Sequence, residues 1–373
     1  MTKGVVGNPL LPLPLRQLLS TSDEGIRAIE RFQAMCGLRS PLDRSLVPYL
    51  FFKLASTFGE EIFSLMPLVF WYGFPSIALP FSTNFVGVIL TGQYLKDVIC
   101  IPRPCVKTTK IIRLESIFET EYGMPSTHST SGMMPFVILL ALRRHQPLLH
   151  DSLPAWIYPF FTFMSVSVGV SRLYLGVHSI PDVVAGLLLG VVGVLALDAV
   201  GDSIDNFVYK SKVGIAVPLV ALLWFSFLYP KSRPWSAAWG TAAQIFGTWF
   251  GVAVSCWLLF NEPSFDWIEK RLVHNAIRTN WDAKTLLFEL GIAAAIAGAA
   301  KVGSKVVMQG LLMGLLERGV IKPHPEERKD TLGREVPSNK LYCIEIPTRV
   351  AGYAFLAFSV IILTPMAWSF FGL

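Results

Sequence analysis

Apolar runs about twenty residues long recur along almost the whole of this 373-residue chain, and they restrict the folds open to it more than any other feature. Such a run is the length a helix needs to cross the hydrocarbon core of a bilayer. Candidates fall near 47–73, 77–99, 129–143, 154–173, 180–200, 213–230, 238–260, 285–304 and 350–371. The third is short, and the eighth can run on toward residue 316. The composition agrees. Hydrophobic residues make up 53%, charged residues only 16%, and the mean hydropathy is +0.52, which excludes an ordinary soluble domain. The expected fold is all-α, a polytopic membrane helical bundle with about nine transmembrane helices.

Polar breaks separate the runs: RRHQ at 143–146, DSIDN at 202–206, KSR at 231–233 and a mixed-charge stretch at 261–284. The segment 317–349 is rich in proline and charge and reads as a long loop. The apolar start of the chain is broken by prolines and lacks a small-residue cleavage site, so it does not read as a signal peptide. Ile26, Ile29, Phe32 and Met35 recur at helical spacing, as in an amphipathic helix lying at the membrane surface. Residues 1–44 therefore read as an N-terminal polar segment, and 45–373 as one membrane domain with its motif core at 94–190. The net charge of +6 and pI of about 9.0 suit anionic headgroups and phosphates better than nucleic acid. Five cysteines show no metal-ligand spacing; Cys100 and Cys105 could pair in an oxidising compartment, although free buried cysteine is commoner.

Against this apolar background stand three polar strings: KDVICIPRP at 96–104, PSTH at 125–128 and SRLYLGVHSIPD at 171–182. The first ends the second span, the second begins the third, and the third bridges the fourth and fifth. All three thus belong at one membrane face. The N-terminal segment and the 317–349 loop fall on that face too, and their many Lys and Arg residues would place it in the cytosol.

The residue types in the strings suit phosphate chemistry. His178 and Asp182 are four apart, which on a helix is one face, and an aspartate there can hold the Nδ1 proton and leave Nε2 as a nucleophile. Arg172 offers a planar fork of donors to phosphate oxygens. Pro125 and the hydroxyls of Ser126 and Thr127 suit a helix N-terminus, where backbone N–H groups favour an anion; an ordinary N-cap explains them equally well. His128 would then lie beside the phosphate as a proton donor. Lys96 and Arg103 are two helical turns apart and can face one way, or can snorkel to a membrane edge. Asp97 would pair with a neighbouring base. Glu115, Glu119 and Glu121 read as solvated loop charges; Glu60 and Glu61, inside the first span, would face the bundle interior. Nothing resembles a carboxylate cluster for magnesium, so neither a metal nor any other cofactor is expected.

Lysine, six residues, Arg-Pro; Pro-Ser-x-His; Ser-Arg, five residues, His, three residues, Asp: this series resembles the signature of the type 2 phosphatidic acid phosphatase superfamily. The resemblance implies a metal-independent phosphatase. It assigns phosphate binding to Lys96, Arg103, Ser126, Thr127 and Arg172, nucleophilic attack to His178, orientation of that histidine to Asp182, and acid–base work to His128. Thr127 departs from the glycine commonest in the superfamily. Within it, KDVICIPRP, EYGMPSTHSTSG at 121–132, SRLYLGVHSIPDVVAG at 171–186 and EIPTRVAGYAFLAFSV at 345–360 look most like sphingosine-1-phosphate (long-chain base phosphate) phosphatases. That likeness implies a phosphorylated lipid substrate, a phosphohistidine intermediate, and an endoplasmic reticulum membrane protein with a lumenal site. The lumenal placement conflicts with the charge count and is the one favoured. Alternatives are a broad lipid phosphate or polyprenyl pyrophosphate phosphatase, a glucose-6-phosphatase-like enzyme, and a transporter or lipid-binding protein. A homo-oligomer is possible.

Overall fold

The computed structural model describes residues 11–59, 71, 75–115, 120–231, 235–268, 270 and 283–370. Glu60, Glu61 and Glu119 lie outside them. Each of the nine expected spans coincides at least in part with helix, and among the described residues there are no strands beyond isolated bridges. Five helical stretches are long and apolar enough to cross a bilayer: Ile77–Lys107, Ile180–Lys210, Ala237–Asn261, Leu287–Glu317 and Tyr342–Phe370. The chain is a polytopic helical membrane protein.

The helices that position the site are α1 (Asp23–Met35), α2 (Leu46–Phe58), α3 (Pro75–Ile99), the single turn α4 (Thr127–Ser131), α5 (Met134–His145), α6 (Ile157–Tyr174) and α7 (Ile180–Asp205). Later come α8 (Ala216–Phe227), α9 (Ala237–Asn261), α10 (Ala283–Glu317) and α11 (Tyr342–Phe358). Helix α3 is the hinge of the arrangement. It packs on α7 and α5 in the first half of the chain and on α9 in the second. Helix α9 in turn packs along α11, and α11 along α10.

Small residues make that second contact close. A Cβ at Gly247 would stand 2.5 Å from the carbonyl oxygen of Val350, and Gly251 meets the Ala354 carbonyl as tightly. Lipid tails are as apolar as leucine, so helices in a bilayer associate through such close backbone approach rather than through burial of grease. The outward faces are correspondingly apolar: Leu188, Val192 and Leu195 on α7, and Val302, Val306 and Leu311 on α10, are exposed in the isolated chain.

One boundary differs from expectation. The long loop ends at Leu341, and α11 begins at Tyr342 instead of near 350. Charges at Glu345 and Arg349 made this stretch read as loop, yet they form an i,i+4 ion pair at 2.6 Å inside the helix. The amphipathic helix appears as α1, capped by Ser22, whose hydroxyl accepts from the Gly25 N–H. Ile29 is buried, and Phe32 packs edge-on to Phe52 in a cluster with Tyr174, Leu175 and Val177, immediately behind the third polar string. Met35 remains exposed.

Candidate active site

The three polar strings meet at one end of α3, α4 and α7, stitched together by their backbones. Gly123 N–H donates to the Ile101 carbonyl at 2.8 Å, joining the first string to the second. Ser126 N–H donates to the Asp182 carbonyl at 2.9 Å, joining the second to the third. Gly186 lets α7 close against the Ser126 carbonyl, where a side chain would collide. A third tie is Arg103, whose Nη1 donates to the Val177 carbonyl at 2.9 Å.

At this junction Lys96, Arg103, Arg172, His178 and Asp182 are all at most 2% exposed. Lys96 reaches Thr127 Oγ1 at 3.3 Å. Lys96 and Arg103 converge on a single carboxylate oxygen, Glu121 Oε2, at 3.1 and 2.6 Å. Arg172 lies slightly apart, donating to Ser56 Oγ at 2.5 Å and facing Glu115 Oε2 at 3.2 Å. Glu115 also takes Lys53 at 2.6 Å. Glu115 and Glu121 are therefore not solvated loop charges. Burial alone would raise both carboxyls, but Arg172 and Lys53 around Glu115, and Lys96 and Arg103 around Glu121, outweigh it and hold both below the usual carboxylate range. A polar loop with no periodicity gives no sign of burial, and that is why the sequence misplaces them. Asp97 likewise forms no ion pair with a base among the described residues; its carboxylate accepts from the Tyr229 hydroxyl at 3.1 Å.

The histidine geometry follows from donor counting. Arg103 Nη1 lies 2.9 Å from His178 Nε2, and a guanidinium can only donate. Nε2 is therefore the acceptor, and the proton of the neutral ring belongs on Nδ1. Nδ1 faces Asp182 Oδ2 at 3.6 Å, just beyond a hydrogen bond. Burial, then the charges of Arg103, Arg172 and Lys96, push the imidazole well below its ordinary value, so it stays neutral.

Asp182 reaches this position by a different route from the expected helical face. His178 lies ahead of the helix. Ser179 is the N-cap of α7 and Asp182 its third residue, and the two form a capping box: Asp182 Oδ2 accepts from Ser179 N–H at 2.7 Å while Ser179 Oγ faces Asp182 N–H at 3.4 Å. Ser126 also caps. Its hydroxyl accepts from Ser129 N–H at 3.4 Å and from Ser129 Oγ at 3.0 Å, so it is already occupied within α4. Cys100, within the first string, and Cys105, just after it, are free thiols, Cys100 Sγ pointing to the Asp97 carbonyl at 3.1 Å.

A cavity of about 460 Å³ opens beside this cluster, lined by Gln93, Glu121, Thr127, His128, Glu345 and Arg349 among others. Lys96, Arg103 and His178 are sealed behind Glu121 and Thr127, outside its lining. Phe85, Gln244 and Ile245 are shared with a more apolar cavity of about 300 Å³ between α3, α9 and α11. Gln93 lies outside every motif, and Glu345 and Arg349 belong to the 345–360 run without a role having been assigned to them.

Residues 73–200 match the PAP2 superfamily model, a span that contains all three strings. Sphingosine-1-phosphate phosphatase 1 of Mus musculus is 28% identical over 348 residues, covering 87% of this chain and 73% of the relative. A dihydrosphingosine 1-phosphate phosphatase of Schizosaccharomyces pombe is 28% identical over 189 residues, 49% of this chain and 45% of the relative. Lipid phosphate phosphatase delta of Arabidopsis thaliana is 28% identical over 192 residues, 48% of this chain and 44% of the relative. No solved structure matches. Three polar strings are drawn together at one buried basic cluster, residues 73–200 match the PAP2 superfamily, and over most of its length the chain is similar to sphingosine-1-phosphate phosphatases.

Proposed function

We propose that this protein hydrolyses the phosphate monoester of sphingoid long-chain base 1-phosphates, releasing the free base and inorganic phosphate. The observation that carries the reading is the seat now filled by Glu121 Oε2. One anionic oxygen there is held by both Lys96 and Arg103, with the Nε2 of a neutral His178 bonded to the same guanidinium. A phosphate dianion entering that seat takes over the two cations and displaces Glu121. Arg103 turns its donors to the phosphate oxygens, which frees the lone pair of Nε2.

Nε2 then attacks phosphorus. The N–P bond forms as the P–O ester bond breaks, and the departing alkoxide takes a proton from His128, which lines the cavity on the leaving-group side. Asp182 balances the charge that develops on the ring through the Nδ1 proton. In the second step His128 takes a proton from water, the new oxygen bonds to phosphorus, and the N–P bond breaks to release phosphate. Lys96, Arg103 and Arg172 stabilise the equatorial oxygens in both steps, which is the work that metal ions do in other phosphoryl transfers. Thr127 helps to seat the phosphate through its contact with Lys96; Ser126 contributes by holding α4 in place. The apolar cavity that shares Phe85, Gln244 and Ile245 suits the hydrocarbon tail.

The relatives that match are named for sphingosine-1-phosphate and dihydrosphingosine 1-phosphate, and this supports the same substrate class here. We assign the protein to the endoplasmic reticulum membrane with its site facing the lumen. Release of inorganic phosphate by purified protein in EDTA tests the reading, across sphingosine 1-phosphate, dihydrosphingosine 1-phosphate, phosphatidate, lysophosphatidate and glucose 6-phosphate. The two sphingoid phosphates are expected to turn over fastest. Preference for phosphatidate or glucose 6-phosphate, or dependence on added magnesium, contradicts it.

A further inference from the structure

The chemistry above leaves one wall of the cavity without a task. Glu345 on α11 is 5% exposed and lines the cavity with His128. Its Oε1 accepts from Arg349 at 2.6 Å, but its Oε2 is buried with no hydrogen bond among the described residues. The Trp235 indole N–H is likewise buried without a hydrogen-bond partner among the described residues. Gln93 on α3, 3% exposed, lines the same cavity, and its Oε1 is also buried without a donor. Two buried acceptors on one cavity call for a ligand that brings donors.

Glu121 supplies the second, independent observation. It lines the cavity too, and its carboxylate is neutralised by Lys96 and Arg103. When a phosphate takes those two cations, a buried carboxylate is left without a counter-ion, which is strongly unfavourable. A ligand carrying both a phosphate and a nearby cation repairs this on arrival: the phosphate takes Lys96 and Arg103, and the cation takes Glu121 and Glu345. Because His128 lines the cavity, the carbons next to the ester oxygen enter it first.

We propose that Glu121, Glu345 and Gln93 form an ammonium subsite that selects lipid phosphates bearing a protonated amine beside the phosphate ester. The proposal rests on the reading of Lys96, Arg103 and His178 as a phosphate seat. It makes the amine of a sphingoid base the feature that excludes phosphatidate and simple alkyl phosphates, with a hydroxyl next to the amine as a further donor for Gln93.

The test compares kcat/KM for sphingosine 1-phosphate, N-acetylated sphingosine 1-phosphate and octadecyl phosphate on the purified full chain. A charge-assisted contact of this kind corresponds to roughly a tenfold to hundredfold preference for the amine. Glu345→Gln is expected to shrink the ratio of sphingosine 1-phosphate to octadecyl phosphate by about tenfold, mainly through KM, and Glu345→Asp to restore part of it. An unchanged ratio in Glu345→Gln overturns the proposal. If that variant does not fold, the native protein decides: equal turnover of the amine and its N-acetyl counterpart overturns the subsite while the phosphatase reading stands. No release from any of the three lipids overturns both.

Discussion

Glu121 matters most at the residue scale, because it pairs with Lys96 and Arg103 in the seat proposed for the substrate's phosphate. Replacing it with glutamine leaves the hydrogen-bonding shape but removes the competing charge. Glu121→Gln is therefore expected to tighten inhibition by inorganic phosphate or vanadate by about tenfold, the scale of one charge-assisted hydrogen bond. Steady-state inhibition measures this; weaker or equal inhibition in the variant contradicts it. His178 yields a second prediction at this scale. Burial and three cations lower its proton affinity, so on falling pH it stays neutral through its ordinary titration near 6.5. The acid limb of kcat/KM should then follow the second ionisation of the substrate phosphate, at about 6, and move with it when an ester of lower phosphate pKa is used. A limb fixed near 6.5 for every substrate is the contrary result.

Legibility in the sequence varied by residue for physical reasons. That Lys96, Arg103 and His178 meet was readable, because the phosphate chemistry proposed for them admits few residue types. Glu115 and Glu121 could not be placed, since a carboxylate in a polar loop looks the same whether it meets water or an arginine. Asp182 was found for an incomplete reason: Ser179-x-x-Asp182 is also a capping box, and that local signal sets its position.

At the scale of elements, two caps and a pair of glycines hold the machinery. The Ser179 cap fixes the start of α7 and, through it, Asp182. Ser179→Ala is expected to cost about 1 kcal/mol of stability, read as a lower thermal midpoint of the detergent-solubilised protein, with kcat reduced as Asp182 loses its tether. An unchanged midpoint would show that the cap contributes nothing. Gly247→Val puts a branched side chain where the α11 backbone passes, and overpacking of this kind costs on the order of 1–3 kcal/mol. Since α11 carries Glu345, the variant should lose thermal stability and the preference for amine-bearing lipids together. Helix existence was readable throughout from apolar run length. The start of α11 was not, because the Glu345–Arg349 pair neutralises itself within the helix and so mimics a loop in composition.

For the whole molecule, the first half holds the proposed phosphate seat and the second half lines the cavity beside it, with α3 packed against both. This division explains why the three polar strings name only part of the cavity lining. Side chains from 93 and from 345–349 meet His128 only in the folded bundle. The long loop belongs at the same end as the site, since the Trp235 backbone N–H donates to the Lys329 carbonyl at 3.0 Å and Lys340 lines the cavity. A glycosylation acceptor inserted at Gly333, an exposed turn with open space around it, should therefore be modified in microsomes if the site is lumenal. An unmodified acceptor there, with modification of tags at the opposite end, would place the site in the cytosol.

The central claim is that His178 carries the phosphoryl group. It is tested most directly by acid-stop and alkaline-stop trapping with a phosphorus-32-labelled aryl phosphate, whose leaving group departs without a proton, in the His128→Ala variant, where the second step lacks its base. The account predicts an acid-labile, alkali-stable phosphoenzyme whose label maps to the peptide containing His178 and vanishes in the double variant with His178→Ala. Phosphate release by His178→Ala at the native rate, or label on any other residue, would contradict it.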